Sequence, residues 1–546
     1  MDSSQTSHSF HKPPFTTSSA KLNPLFRTPV SSSDRSLISQ FLLDAQAESR
    51  EHQVEISKLK TVIIARETKQ QGLNKMIDHY RSLLSPIHRL PQELLTLIFE
   101  SICDMNELHP SRAPSAMVLS SVCGRWRELA MSTPSLWSSI RISCSTWDDN
   151  TCESLVYLTR IFLERSRSYP LKLDLDFILF HFEYEEWTHA GSAFGLLVQH
   201  SHRWLSLKLL VQRYDFDHTL FRSLRDQLPM LRYLSVDDEV GDDLDSESGT
   251  LFEHCPNLTS VQLRADRGFS AGIVLPWSQL VTLDVPEGLI EPLLQVLKEC
   301  SGLERLSLGE ITRDYRDADD NSEEDEGPIF HSSTIRHLTI HATNIRQISR
   351  ILKRITMPQL ASIEIRRDAR YNWGLVGWNE EIFADFMSRS ACSITSMRLE
   401  VLPITDRQLI SLLTLVPSLR TLAIQEVIKD RDDKPATISE DFLHHLTVEY
   451  QIPSSARHFL PQLSDLALTV SGKHLHEQAL LQALSSRWTP DTSSQVDRLR
   501  AFSLTVVGSQ GDSSPGCFAS LQNFRDAGLR VATRHVLKSQ HGYFSL

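Results

Sequence analysis

Leu303-Glu304-Arg305-Leu306-Ser307-Leu308 is one copy of a hexad that recurs down most of this chain. The spacing Leu-x-x-Leu-x-Leu, with Ile, Val, Met or Phe standing in for Leu, returns at 231–236, 258–263, 280–285, 335–340, 360–365, 394–399, 419–424, 463–468 and 499–504. Looser copies lie at 170–175 and 204–209. The copies starting at Leu231, Leu258, Leu280 and Leu303 are separated by 27, 22 and 23 residues, and later steps are longer and uneven. The alternation at the end of each hexad predicts a short strand with its apolar side chains on one face. Amphipathic runs lie between copies, among them Leu289 to Cys300, Ile345 to Ile355, Asp406 to Val416 and His476 to Leu484. A strand and helix too small to bury their own apolar faces must stack on the next copy. Residues 141–546 are therefore expected to form an α/β solenoid with strands on the concave side. An ordinary α/β domain with crossover helices is the competing arrangement.

This repeat resembles the irregular leucine-rich repeats. In such a unit the leucines point into the core, and the residues between and after them line the open surface. That places Tyr233, Ser235, Arg264, His337, His341, Glu364, Arg366, Arg398, Glu400 and Gln425 there. The mixture of aromatic, imidazole and charged groups suits protein recognition, and Tyr233, Arg264, His337, His341, Glu364, Arg366, Arg398 and Glu400 are the candidate client-binding residues. Solvent-facing strand positions are also polar without any partner.

Residues 86–140 follow a different pattern. Leu90-Pro91-Gln92-Glu93-Leu94-Leu95-Thr96-Leu97-Ile98-Phe99 places a proline and an acid in a first helical turn, where the missing N–H is tolerated and the dipole favours negative charge. Leu94, Leu95, Ile98 and Phe99 make a wide apolar face, and Val118, Val122, Trp126 and Leu129 predict a second apolar helix. Pro134-Ser135-Leu136-Trp137 closes the unit. So much apolar surface on two short helices needs a partner, in this chain or another.

The unit resembles the F-box, in a variant with a long middle spacer found in large gene families of mushroom-forming fungi. The resemblance lies in Leu90-Pro91-x-Glu93-Leu94-Leu95-x-x-Ile98-Phe99, Val122-Cys123-x-x-Trp126-x-x-Leu129-Ala130 and Leu136-Trp137. The departure is Asp104 to Ser115, a polar stretch with two prolines where an F-box typically has a short Asp-containing turn and a Leu-rich helix. The resemblance implies docking on a Skp-family adaptor and, through it, a cullin-based ubiquitin ligase. Leu90, Pro91, Leu94, Leu95, Ile98, Phe99, Val122 and Trp126 are the implied adaptor-binding residues. A helical pair buried in its own domain is the plainer alternative.

Residues 1–33 are rich in Ser, Thr and Pro and are expected to be disordered. Residues 34–85 contain no proline, and a seam through Ile38, Leu42, Ala45, Ser49, His52, Ile56, Leu59, Ile63, Arg66, Gln70, Leu73, Ile77, Tyr80 and Leu84 predicts a long helix with coiled-coil tendency, weakened by polar Ser49, His52, Arg66 and Gln70 and by Gly72. A self-paired homodimer and a single helix are both compatible with that seam.

A net charge of −12 argues against a nucleic-acid binder, which needs clustered Lys and Arg. Apolar runs fall short of the roughly 20 residues that cross a bilayer, so no membrane role is expected. Eight dispersed cysteines without a CxxC pair fit reduced thiols in cytosol or nucleus. There is no phosphate loop, HExxH or GxSxG, so no catalytic residue, metal site or cofactor is assigned. His200, His202 and the pair His444-His445 lack ligand spacing. Cys123 is expected on an apolar helix face, where burial would make it inert. Two acidic stretches, Asp237 to Asp245 and Asp314 to Glu326, would attract a basic partner or simply be solvated. The expected function is that of a non-catalytic substrate receptor in a Skp–cullin–F-box ligase; a repeat scaffold without a ligase role is the alternative.

Overall fold

The computed structural model describes residues 29–109, 111–143, 149–176, 190–211, 219–238, 248–264, 273–312, 327–368, 377–427, 437–448, 458–490, 495–508 and 516–537. The first 28 residues, most of the expected disordered tail, lie outside the described residues, as do 239–245 and 314–326 of the acidic stretches. The chain divides into two compact units between Leu95 and Thr96.

The first unit is dominated by α1 (Ser32–Leu83), a single helix of 52 residues. It starts where Ser31 and Asp34 form a reciprocal cap: Asp34 N–H donates to Ser31 Oγ, and Ser31 N–H donates to Asp34 Oδ2. None of its residues is buried, and Leu42, Ile56, Leu59, Ile63, Leu73, Ile77 and Tyr80 of the seam are all exposed.

The second unit is built on one parallel sheet of 15 strands. Its early strands are β1 (Asn106–Glu107), β2 (Ser139–Ser143), β3 (Leu171–Asp176), β4 (Trp204–Val211), β5 (Tyr233–Asp238), β6 (Ser260–Arg264), β7 (Thr282–Leu289) and β8 (Arg305–Thr312). A small separate pair, β9 (Phe330–His331) and β11 (Ile355–Thr356), flanks β10 (His337–Ala342) in the chain. The main sheet continues through β12 (Ser362–Arg367), β13 (Ser396–Glu400), β14 (Thr421–Gln425), β15 (Asp465–Ser471), β16 (Ala501–Gly508) and β17 (Arg530–Leu537). Strand order in the sheet is chain order throughout. A doubly wound sheet would reverse direction at a switch point, and this one never does, so the α/β repeats are stacked like a solenoid.

The hexads explain why. Leu283, Leu306, Leu338, Ile363, Met397, Leu422, Leu466 and Phe502 sit opposite one another across successive strands and are all buried. Each row of core side chains continues into the next repeat, so no repeat is complete alone. Helices such as Ile345–Arg354 and Asp406–Thr414 return the chain to the next strand. Both begin with a capping box, Asn344 with Gln347 and Thr405 with Gln408. Gly309 in β8 lies directly over the Pro286 carbonyl of β7, where any Cβ would collide with backbone.

Buried arginines tie repeats together. Arg487 donates to the carbonyls of Leu446, Leu460 and Phe459, and Arg203 to those of Arg167, Tyr169 and Leu163. Each fork satisfies several carbonyls left without a ladder partner at turns between repeats. The hexad pattern is blind to these positions.

Three expectations are corrected. The second F-box-like helix is two helices, α3 (Ser115–Val122) and α4 (Gly124–Ser132), because Cys123 adopts an extended backbone between them. Cys123 is therefore not on a helix face, and it is half-buried rather than enclosed. The polar spacer from Asp104 to Ser115 is not merely a connection: Asn106 and Glu107 pair with Ile140 and Arg141 as the first strand of the sheet. The expected boundary between residues 140 and 141 thus falls inside β2.

Candidate functional site

The F-box-like helices sort their apolar residues by helix geometry. On α2 (Gln92–Ile102), Leu95 and Phe99, four residues apart, are fully buried. Leu94, Leu97, Ile98 and Ile102 occupy another face at spacings of three and four and are exposed, Leu97 by 61%. On α3, Leu119 is buried, whereas Val118 and Val122 are exposed, Val122 by 56%. Six large apolar side chains left in solvent on two short helices exceed what a soluble surface carries by chance.

The exposed chains are held on a well-determined frame. Phe99 meets Trp126 of α4 edge to face, with ring centroids 4.8 Å apart. Asn106 is completely buried, and its amide spends every bond on backbone. Its Nδ2 donates to the carbonyls of Cys103, Leu136 and Ser139, at 3.3, 2.9 and 3.1 Å, and its Oδ1 accepts from Ala116 N–H at 3.0 Å. One side chain therefore joins the end of α2, the start of α3, the Pro134–Trp137 turn and β2. Trp137 Nε1 donates to Ala130 O at 2.8 Å, its ring packs on Phe162, and the Arg165 guanidinium lies 4.4 Å above it.

Of the residues implied for adaptor binding, Pro91, Leu94, Ile98 and Val122 are exposed, and Leu90 and Trp126 are half-buried. Leu95 and Phe99 are correctly placed on the helix but belong to the interior; they hold the unit together instead of facing out. Leu97 and Ile102, which the resemblance does not imply, and Val118, expected only on the second apolar helix, are exposed as well, and their spacing from Leu94 and Val122 is the signal for them.

On the strands, Glu364, Arg366, Arg398 and Glu400 form a charge lattice across β12 and β13. Arg366 Nε lies 3.2 Å from Glu400 Oε2, Arg398 Nη1 lies 3.3 Å from Glu400 Oε1, and Arg398 Nε lies 3.8 Å from Glu364 Oε2. His337 and His341 are half-buried on β10, with His341 in register with Arg366. Tyr233 donates its hydroxyl to Gln262 Oε1 at 2.7 Å, and burial raises its pKa. Arg264 ends β6, and its side chain lies outside the described residues.

Chemistry is scarce. Among the described residues no cluster of three His, Cys, Asp or Glu side chains is arranged to hold a metal, and no helix is long and apolar enough to cross a membrane. His200 and His202 stand with ring centroids 6.2 Å apart, and burial followed by the charge of Arg203 lowers the His200 pKa.

Comparison with known proteins agrees with the helical unit. The F-box-like family pattern matches residues 87–143, so the chain carries an F-box-like domain there. No curated protein matches the chain. A solved structure of a Bacteroides fragilis protein is similar over 63% of this chain and 83% of its own, at 12% identity and a TM-score of 0.29.

Proposed function

We propose that this chain is the substrate-recognition subunit of a Skp–cullin–F-box ubiquitin ligase, of the fungal F-box type with a leucine-rich-repeat client-binding region. The observation that carries the reading is the exposed apolar face of an F-box-like domain: Leu97, Ile98 and Ile102 on α2, with Leu94 one turn earlier, and Val118 and Val122 on α3. A Skp-family adaptor covers that face, and a cullin joins through the adaptor. The chain performs no bond chemistry; it holds a protein client near the ubiquitin-carrying enzyme, so its contribution is proximity and orientation. The client lies on the open side of the strands, through Tyr233, Arg264, His337, His341, Glu364, Arg366, Arg398 and Glu400. The seam of α1 pairs two copies as a coiled coil, and the assembly works in cytosol or nucleus. The test is affinity capture of the full chain from a fungal lysate beside an Ile98→Glu, Val122→Glu variant. Adaptor and cullin are expected with the wild type and absent with the variant. Equal capture by both, or by neither, leaves a repeat scaffold without a ligase role.

A further inference from the structure

The open side of the sheet changes character towards its C-terminal end. Along one row of facing positions, Thr339, Glu364 and Arg398 on β10, β12 and β13 are followed in register by Ala423, Ala467, Ser503 and Ala532. Four small side chains in line leave a trough of about 650 Å³ where longer ones fill the preceding strands. One flanking row runs Thr421, Asp465, Ala501, Arg530; the other runs Gln425, Thr469, Thr505, Arg534.

One end of the trough is basic. Arg525 and Arg530 line it, whereas Arg398 at the other end is already paired with Glu364 and Glu400; Asp465 is the single carboxylate among the lining residues. Asp465 is already engaged, accepting from Ser464 Oγ at 2.6 Å and facing Arg530 at 3.9 Å. Among the described residues no carboxylate pairs with Arg525. The same holds for the exposed Arg420 and Arg500, which flank the trough on one backbone row: Ser464 N–H donates to Arg420 O, and Arg500 N–H to Ser464 O. A cluster of unpaired arginines on a chain of net charge −12 runs against the average field and marks a place for negative charge.

We propose that this trough receives an extended acidic segment of a client polypeptide, with small side chains over the alanine row and carboxylates directed to Arg525 and Arg530. The proposal rests on the reading of the repeats as the client-binding part and names the chemistry of that client. Four strands at about 4.8 Å spacing span about 14 Å, the length of about four residues of extended chain. The trough is not an enclosed cavity, which suits an extended chain better than a buried small molecule.

The test uses the full chain to select from a random dodecapeptide display library, alongside Ala467→Trp, which fills the trough, and Arg525→Glu, an exposed change that leaves packing alone. Thermal unfolding of both variants is checked first. Selected peptides should be enriched in Asp and Glu, should bind Arg525→Glu at least tenfold more weakly, and should lose affinity as salt rises. Peptides without acidic enrichment, peptides that bind Arg525→Glu as they bind the wild type, or no retained peptide at all would overturn the proposal. Should Ala467→Trp fail to fold, Arg525→Glu and the salt series decide alone. Adaptor capture is scored on the same preparations. Adaptor without peptide removes the trough and keeps the ligase reading; acidic peptide without adaptor does the reverse.

Discussion

Leu94 and Leu95 are neighbours in the chain and opposites in the fold: Leu94 is 49% exposed on α2, and Leu95 is fully buried. A helix turns about 100° per residue, and that one step carries the chain here from the exposed face of Leu94, Ile98 and Ile102 to the buried face of Leu95 and Phe99. One is available to a partner, and the other holds the domain.

Single substitutions should separate those roles. Leu94→Ala is expected to lower affinity for a purified Skp-family adaptor about tenfold, as truncation of a hot-spot residue does, with unfolding unchanged. Leu95→Ala should cost about 2–5 kcal/mol of stability through the cavity it leaves. Adaptor titration and denaturant unfolding of both variants check this; the same result for both would dissolve the distinction between faces.

Asn106 offers a second handle. Asn106→Leu keeps the branched shape and the number of heavy atoms but strands the buried Ala116 N–H and the carbonyls that its amide reaches. Each buried unsatisfied group costs about 1–3 kcal/mol, so unfolding of the F-box-like domain is the expected outcome. Loss of amide-exchange protection at Ala116 and in β2 is the readout, and retained protection would mean that water reaches the site.

The repeat register can be tested at adjacent positions in β8. Leu306→Ala should destabilise the sheet region by about 2–5 kcal/mol, because its row of core side chains runs unbroken from Leu283 to Phe502. Ser307→Ala, on the open side, should change stability by less than about 0.5 kcal/mol. Equal losses in urea unfolding would contradict the inside–outside assignment.

Thiol chemistry should report burial. Desolvation pushes Cys103 and Cys517 up to about 11, and Cys255 and Cys300 up to about 12, from an ordinary value of 9.0. A raised folded pKa means that the unfolded chain ionises first, so the stability linked to these thiols is complete below pH about 9 and is lost as pH rises towards 11–12. Melting temperature should fall across that window, and Cys300→Ala should flatten part of the fall. At pH 8, residue-resolved mass spectrometry after brief alkylation should find Cys123 modified well before these four. Early modification of Cys255 or Cys300 would show that their repeats open in the native state.

Much of this was readable because periodicity carries it. Leu231, Leu258, Leu280 and Leu303 mark successive repeats by spacing alone, and Leu234, Leu283, Leu306 and Leu422 are buried in strands, as their spacing predicts. The F-box-like helices were legible from ordered apolar spacing, although Leu95 and Phe99 were read as facing a partner. Spacing shows that a face is apolar and says nothing of which neighbour covers it.

The α/β repeat, the long N-terminal helix and the position of the F-box-like domain are legible in the chain alone, since each is a local rhythm of apolar and polar residues repeated over many positions. Tertiary structure alone decided where that rhythm breaks. It made the polar spacer the first strand of the sheet, because Asn106 finds carbonyl partners 30 and 33 residues away at Leu136 and Ser139. It also aligned Ala423, Ala467, Ser503 and Ala532 into one trough. Those four residues lie in separate repeats of unequal length, and only the hydrogen-bonded register between parallel strands brings them into line.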